Sequence, residues 1–246
     1  MKPLASRTDG LRQSDIRAVT FAVNAVDGIN LGQGICDLPT PAPIREAAKS
    51  AIDEDKSIYT SYAGIRKLRE GILDKARSYN GLPVESADEI MVSVGSTGAF
   101  VATALALFEP GDECVLFEPF YGYHTGLLDL FGVVKKPVKL HAPDWTIDFD
   151  EVEAAITERT KAVLVCTPSN PCGKVWSRAE LERLLEILQR HDLYAITDEI
   201  YEYMVYDGRE HVSLGSLPGA YERTVTLSGF SKTYNMTGWR LGYALG

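Results

Sequence analysis

No apolar run in this sequence approaches the roughly 20 residues that a bilayer-crossing helix needs, so no membrane span is expected. No cluster of lysine and arginine is present, and the net charge is −9. A nucleic-acid binder, which has to neutralise phosphates, is therefore not expected. Residues Met1 to Gly10 lack the apolar core of a signal peptide, which points to a cytoplasmic location. The four cysteines, Cys36, Cys114, Cys166 and Cys172, are scattered without a CxxC pair. They read as reduced thiols, with neither a disulfide frame nor a metal site expected. No internal repeat or low-complexity segment occurs. What remains is an ordinary globular composition, 45% hydrophobic and 24% charged over 246 residues. That is enough for one large domain or two modest ones.

In chain order, Ile16 to Val26 has the spacing of an amphipathic helix. Ile29 to Leu31 reads as a short strand entering a proline-stiffened loop, Gly32 to Pro41. Pro43 to Asp53 predicts a helix with Ile44, Ala47, Ala48, Ala51 and Ile52 on one face. A tyrosine-bearing loop, Tyr59 to Ile65, leads into a helix over Arg66 to Ser78. From there apolar strands alternate with helices. Strands are expected at Glu89–Val94, Cys114–Phe117, Val133–Leu140, Lys161–Cys166, Leu193–Thr197, Val225–Leu227 and Leu241–Leu245. Helices are expected at Ala99–Phe108, Tyr121–Phe131, Asp150–Ile156 and Arg178–His191. Continuous apolar strands between helices imply an α/β fold, a mostly parallel sheet in three α/β/α layers with right-handed crossovers. A boundary falls between residues 45 and 55, dividing an N-terminal part, 1–45, from a large domain, 46–246. The last strand reads as if nothing capped or covered it, which suggests a piece of a longer chain.

Ligands of such sheets bind beyond the carboxyl ends of the strands. After the first strand comes Gly95-Ser96-Thr97-Gly98, a turn opening a helix, whose free N–H groups and hydroxyls suit an anion; a plain turn is the simpler use. After the second comes Tyr121, able to stack on a flat ring or to pack in a core. Asn170 sits between prolines after Cys166, as a rigid hydrogen-bonding group or merely part of a turn. Asp198, with Tyr201 three residues on, ends an apolar strand. An acid there is costly to bury without a cationic partner, although it could cap a helix. Lys232 follows small residues, and Arg240 lies between Gly238 and Gly242. An amine with an arginine anchor suggests a Schiff base to a phosphorylated aldehyde. Each signal is ambiguous alone. Together they match pyridoxal 5'-phosphate, with the acid against its ring nitrogen.

The stretch Gly229-Phe-Ser-Lys232-Thr-Tyr-Asn-Met-Thr-Gly238-Trp-Arg240-Leu-Gly242 resembles the cofactor-attachment motif of fold-type I pyridoxal-phosphate enzymes, class I/II aminotransferases, the aspartate aminotransferase-like group. Ser169-Asn170-Pro171-Cys172-Gly173 resembles their Asn-Pro-x-Gly turn, and Asp198-Glu-Ile-Tyr201 their Asp-x-x-Tyr element. The resemblance runs from about Asn30 onward. It implies the pyridoxal-phosphate transferase fold, with residues 1–45 an N-terminal arm and partial small domain. It also implies catalytic roles for Lys232, Asp198 and Tyr201. Asn170 and Tyr201 would bond the phenolic oxygen, Tyr121 would stack, and Ser96, Thr97 and Arg240 would hold the phosphate. Tyr59 would reach the phosphate of a neighbouring subunit, giving a homodimer with shared sites. Gly34 and Asn170 would lie on the substrate side. Where many members carry a phosphate-binding serine this chain has Gly229, so either Ser228 or Ser231 substitutes or the contact is missing.

The expected activity is transamination between an L-amino acid and a 2-oxo acid. A carbon–sulfur β-lyase of the same fold and a cofactor-binding fragment without activity are the alternatives. A cofactor-sensing regulator would need a DNA-binding domain for which residues 1–30 are too short.

Overall fold

The computed structural model describes residues 2–8 and 15–246. The parts of the expected N-terminal arm at residues 1 and 9–14 lie outside the described residues.

Strands β1 (Ile90–Val94), β2 (Glu113–Glu118), β3 (Val134–His141), β4 (Thr146–Ile147), β5 (Thr160–Cys166), β6 (Tyr194–Asp198), β7 (Thr224–Gly229) and β8 (Leu241–Leu245) form one sheet in the order β1-β8-β7-β6-β5-β2-β3-β4. The helices are α1 (Asp15–Ala25), α2 (Ala42–Asp53), α3 (Arg66–Ser78), α4 (Gly95–Leu107), α5 (Gly122–Phe131), α6 (Phe149–Ala155) and α7 (Arg178–Arg190). The run β7-β6-β5-β2-β3 is parallel throughout.

Side chains alternate across a strand, so the two faces collect different cores. Val115 and Phe117, Val163 and Val165, and Ala195 face one way, onto Leu181, Leu184, Leu185 and Leu188 of α7 and onto Trp176. Cys114, Leu116, Ala162, Leu164, Ile196 and Leu227 face the other, onto Ala99, Phe100 and Ala104 of α4 and Leu128 of α5. Both faces are dry, which is why these strands read as unbroken apolar runs. A third cluster joins Ile72 and Ala76 of α3 to Ile90, Tyr243 and Leu245. Helix α7 begins on a capping box in which Ser177 and Glu180 satisfy each other's backbone N–H groups. No helix among the described residues is long and apolar enough to cross a membrane.

Three expectations change. The final strand is not uncovered. β8 inserts between β1 and β7, antiparallel to both, with Ile90 opposite Leu245 on one side and Gly229 opposite Gly242 on the other. Residues 29–31 form no strand; Ile29 and Leu31 are exposed and have no strand beside them. The helix expected over residues 43–53 does form, as α2, and none of its residues is buried. A two-residue strand, β4, pairs antiparallel with the end of β3 where no strand is evident from the sequence.

These burials set contrasting costs. Leu184→Ala, at a fully buried position, should cost about 2–5 kcal/mol. Ile52→Ala, on the bare face of α2, should stay within about 0.5 kcal/mol. Urea unfolding midpoints of the two variants check both.

Candidate active site

Because β1, β2, β5, β6 and β7 all run the same way, their carboxyl ends share one edge of the sheet. β8 runs the other way, so its first residues reach that same edge and bring Arg240, immediately before Leu241, with them. The antiparallel run of β8 puts the arginine in the cleft.

Gly242 makes the approach possible. A Cβ there would fall 2.3 Å from the Gly95 carbonyl carbon and 2.4 Å from the Ser96 nitrogen, distances that no side chain tolerates. Gly95 itself takes φ +71°, and a Cβ on it would fall 2.5 Å from an Arg240 guanidinium nitrogen. The guanidinium therefore lies at the N-terminus of α4, a 13-residue helix with no acidic residue in its first turn. Arg240 donates to the Thr237 carbonyl at 2.9 Å, and among the described residues no carboxylate pairs with it. A helix N-terminus and an arginine with no acid beside it, brought close together by the contacts that two glycines permit, form an anion cradle of phosphate chemistry.

The cleft encloses about 520 Å³, including its open mouth. Ser96, Thr97, Tyr121, Asn170, Asp198, Tyr201, Lys232 and Arg240 all line it, each expected from the sequence. Gly34 and Tyr59 do not; both are exposed, Tyr59 fully. Of the two candidate serines, Ser231 lines the cleft. Ser228 does not, because it is buried and its hydroxyl donates to Glu202 at 2.9 Å.

The partner of Asp198 is one the sequence reading missed. His124 Nε2 lies 3.0 Å from Asp198 Oδ2, and both side chains are buried. Asp198 Oδ1 accepts from the Ile200 N–H at 3.2 Å. The imidazole is held between Phe100, 4.7 Å away by ring centroids, and the edge of Tyr121, 5.3 Å away. Its signal was available: His124 stands three residues after Tyr121, in the first turn of α5, so both side chains return to one face. Asn170 Nδ2 donates to the Tyr201 hydroxyl at 3.4 Å, and Lys232 Nζ lies 5.5 Å from the centre of the Tyr201 ring. Burial, with Tyr123, Tyr201 and Asp198 adding and Arg240 opposing, pushes the Tyr121 phenol up to about 12. Burial, then the charges of Cys166 and Asp198, also raises the Tyr201 phenol, against the hydrogen bond from Asn170. Both shifts carry the phenols further above neutral pH, where an ordinary phenol is already protonated. Ile200, Cys166 and Thr237 complete the lining and were not singled out as site residues.

With this geometry in place, comparison with known proteins is decisive. Residues 26–246 match the family model described as aminotransferase class I and II. The chain belongs to that family. It is 35% identical to aromatic-amino-acid aminotransferase 2 of Thermococcus litoralis, over 98% of this chain and 62% of the relative. It is also 35% identical to human kynurenine–oxoglutarate transaminase 1, over 98% of this chain and 60% of the relative. Among solved structures, aspartate aminotransferase of Thermus thermophilus with maleate superposes with a TM-score of 0.94 at 36% identity, covering 100% of this chain and 65% of that one. The chain thus spans about three fifths of the length of the curated relatives it matches.

The thiols give a direct check on burial, Cys114 within the core and Cys166 at the cleft. Burial pushes Cys114 up to about 12 and raises Cys166 further, Asp198 adding to the latter. A raised thiol carries less thiolate at any given pH. At pH 8, iodoacetamide should label the exposed Cys36 and leave Cys114 and Cys166 unmodified until urea is added, as read by peptide mass spectrometry.

Proposed function

We propose that this chain carries the cofactor half of a pyridoxal-phosphate enzyme that moves an amino group between an L-amino acid and a 2-oxo acid. One arrangement supports this reading: the Lys232 amine lines the same cleft as the Arg240–α4 anion cradle and the buried Asp198 carboxylate. The residues suit the group chemically. The Arg240 guanidinium beside the N-terminus of α4, with no carboxylate pairing it among the described residues, suits a phosphate, and Asp198 suits a protonated ring nitrogen.

When bound, the cofactor supplies an aldehyde that takes up an amino group and a ring that accepts the electron pair left at the substrate Cα. Lys232 Nζ would be the amine that holds the aldehyde and the general base for the Cα proton. Asp198, steadied by His124 and the Ile200 N–H, would keep a proton on the ring nitrogen. Asn170 Nδ2 and the Tyr201 hydroxyl would serve as donors to the phenolic oxygen, and Tyr121 would pack against the ring. Ser96, Thr97 and Arg240 would hold the phosphate, and Ser231, which lines the same cleft, would assist. Gly34 and Asn170 would lie on the substrate side.

The same proposal takes in the full assembly. Tyr59, fully exposed in this chain, reaches the phosphate of a second copy, so that a homodimer shares its sites. Residues 1–45 belong to an arm and a partial small domain, 46–246 to the cofactor domain, and the protein works in the cytoplasm. The β-lyase alternative is not favoured, since the curated relatives above are transaminases by name.

The experiment is trapping. Wild-type protein mixed with pyridoxal 5'-phosphate and reduced with borohydride should carry the adduct on the peptide containing Lys232. Lys232→Ala should carry none there. An adduct on other lysines alone, or equal labelling of both proteins, sinks the assignment. Arg240→Ala should bind the cofactor about 10- to 100-fold more weakly by absorbance titration, the worth of a charge-assisted hydrogen bond.

A further inference from the structure

Behind the cleft, and outside its lining, a single carboxylate collects an unusual number of donors. Glu202 is 2% exposed. Its Oε1 accepts from Ser228 Oγ at 2.9 Å. Its Oε2 accepts from Lys75 Nζ at 2.5 Å and from Asn80 Nδ2 at 2.8 Å. The Tyr79 hydroxyl donates to its main-chain carbonyl at 2.9 Å. Lys75 in turn donates to the Tyr243 hydroxyl at 3.2 Å. Its ammonium lies 5.5, 5.7 and 6.0 Å from the rings of Tyr79, Tyr203 and Tyr243.

The partners of Glu202 come from separate parts of the chain, and three of the tied positions adjoin the cleft. Glu202 follows Tyr201 directly. Ser228 lies on β7, four residues before Lys232. Tyr243 lies on β8, three residues after Arg240. The remaining partners, Lys75, Tyr79 and Asn80, belong to α3 or follow it. Glu199, Glu202 and His211 also bring potential ligand atoms within 4.8 Å of one another. A metal ion is nevertheless a poor reading, because both Glu202 oxygens are engaged and its cation is already Lys75.

We propose that Glu202 is a positioning residue for the cofactor cleft, tying the segments that carry Tyr201, Lys232 and Arg240 to α3, with Lys75 as its counter-ion. Neither side chain reaches the cleft, so Glu202 acts through the geometry of those three residues. This inference rests on the cofactor reading above. It adds to that reading a fixed relation between the amine, the phenol and the phosphate anchor, set from the far side of the sheet.

The test uses pyridoxal 5'-phosphate itself and reads three quantities: the dissociation constant, the pH midpoint of the absorbance band of the bound form, and urea stability without cofactor. Removing one member of a buried ion pair strands a charge, so Glu202→Gln alone is expected to lose stability. The informative variant is Lys75→Met/Glu202→Gln, which removes both charges at nearly constant shape and keeps an acceptor for Ser228. Ser228→Ala cuts only the link to β7 and serves if the double variant fails to fold. Both should bind cofactor more weakly, the double variant by about 10- to 100-fold, with a displaced pH midpoint. Glu113→Gln, a buried acid at the start of β2 on the opposite edge of the sheet, should lose stability and leave both cofactor readouts unchanged. If the double variant, or Ser228→Ala in its place, matches wild type in affinity and midpoint, the proposal is overturned. It is also overturned if Glu113→Gln moves the cofactor readouts equally, since Glu202 then acts only through stability. If wild-type protein shows no band at all, the cofactor reading falls first and takes this proposal with it.

Discussion

At Gly242 the backbone of β8 runs against the first turn of α4 with no room for even a methyl group. Most of the cleft depends on that contact. It brings the guanidinium of Arg240 beside a helix N-terminus, so two sources of positive potential converge on one small space. It also requires β8 to be antiparallel, because a parallel strand in that place would carry the residue before it to the opposite edge of the sheet. The other site-bearing strands could all arrive by ordinary right-handed crossovers. The arginine could not.

The rest of the site is a problem in handling buried acids. Asp198, Glu199 and Glu202 lie within five consecutive residues, and each is almost wholly removed from water. Asp198 pairs with His124 and Glu202 with Lys75, while Glu199 meets His211 and Ser213 through Oε2 and its Oε1 has no partner among the described residues. Burying carboxylates is unfavourable unless partners replace the lost solvent, and partners with fixed positions impose their geometry in return. A segment held at three points by charge and hydrogen bonding has little freedom to move, which suits a segment that also presents Tyr201.

Much of this was legible in the sequence, for a physical reason. Strands buried on both faces have to be continuously apolar, so β2, β5, β6 and β7 announced themselves. Side chains that follow such strands fall at one edge, so Ser96, Tyr121, Asn170, Asp198 and Lys232 could be grouped before any coordinates. What escaped depends on distance along the chain. The sequence near Asp198 does not say that its partner is His124, 74 positions earlier, and Glu202 looks like any surface glutamate until Lys75 is seen beside it. Periodicity placed α2 correctly, although none of its residues is buried among the described residues. It misled at residues 29–31, where an apolar run has no neighbouring strand. The last strand looked bare for a related reason: its two partners, β1 and β7, lie on either side of it in space but not in sequence.

That last arrangement bears on how the molecule is made. Among the described residues β1 pairs with β8 alone, and the register joins Ile90 to Leu245, about 150 positions apart. Until residues 241–245 are available, β1 has no place in the sheet and the long parallel block ends at an open β7 edge. Closing so large a loop carries an entropic cost before any contact repays it, and such pairings form slowly. An unpaired, apolar β7 edge is meanwhile a template for association with other chains. The strand that completes the cleft is therefore also the one that closes the sheet, so a partly folded chain with an open edge has no complete anion cradle either.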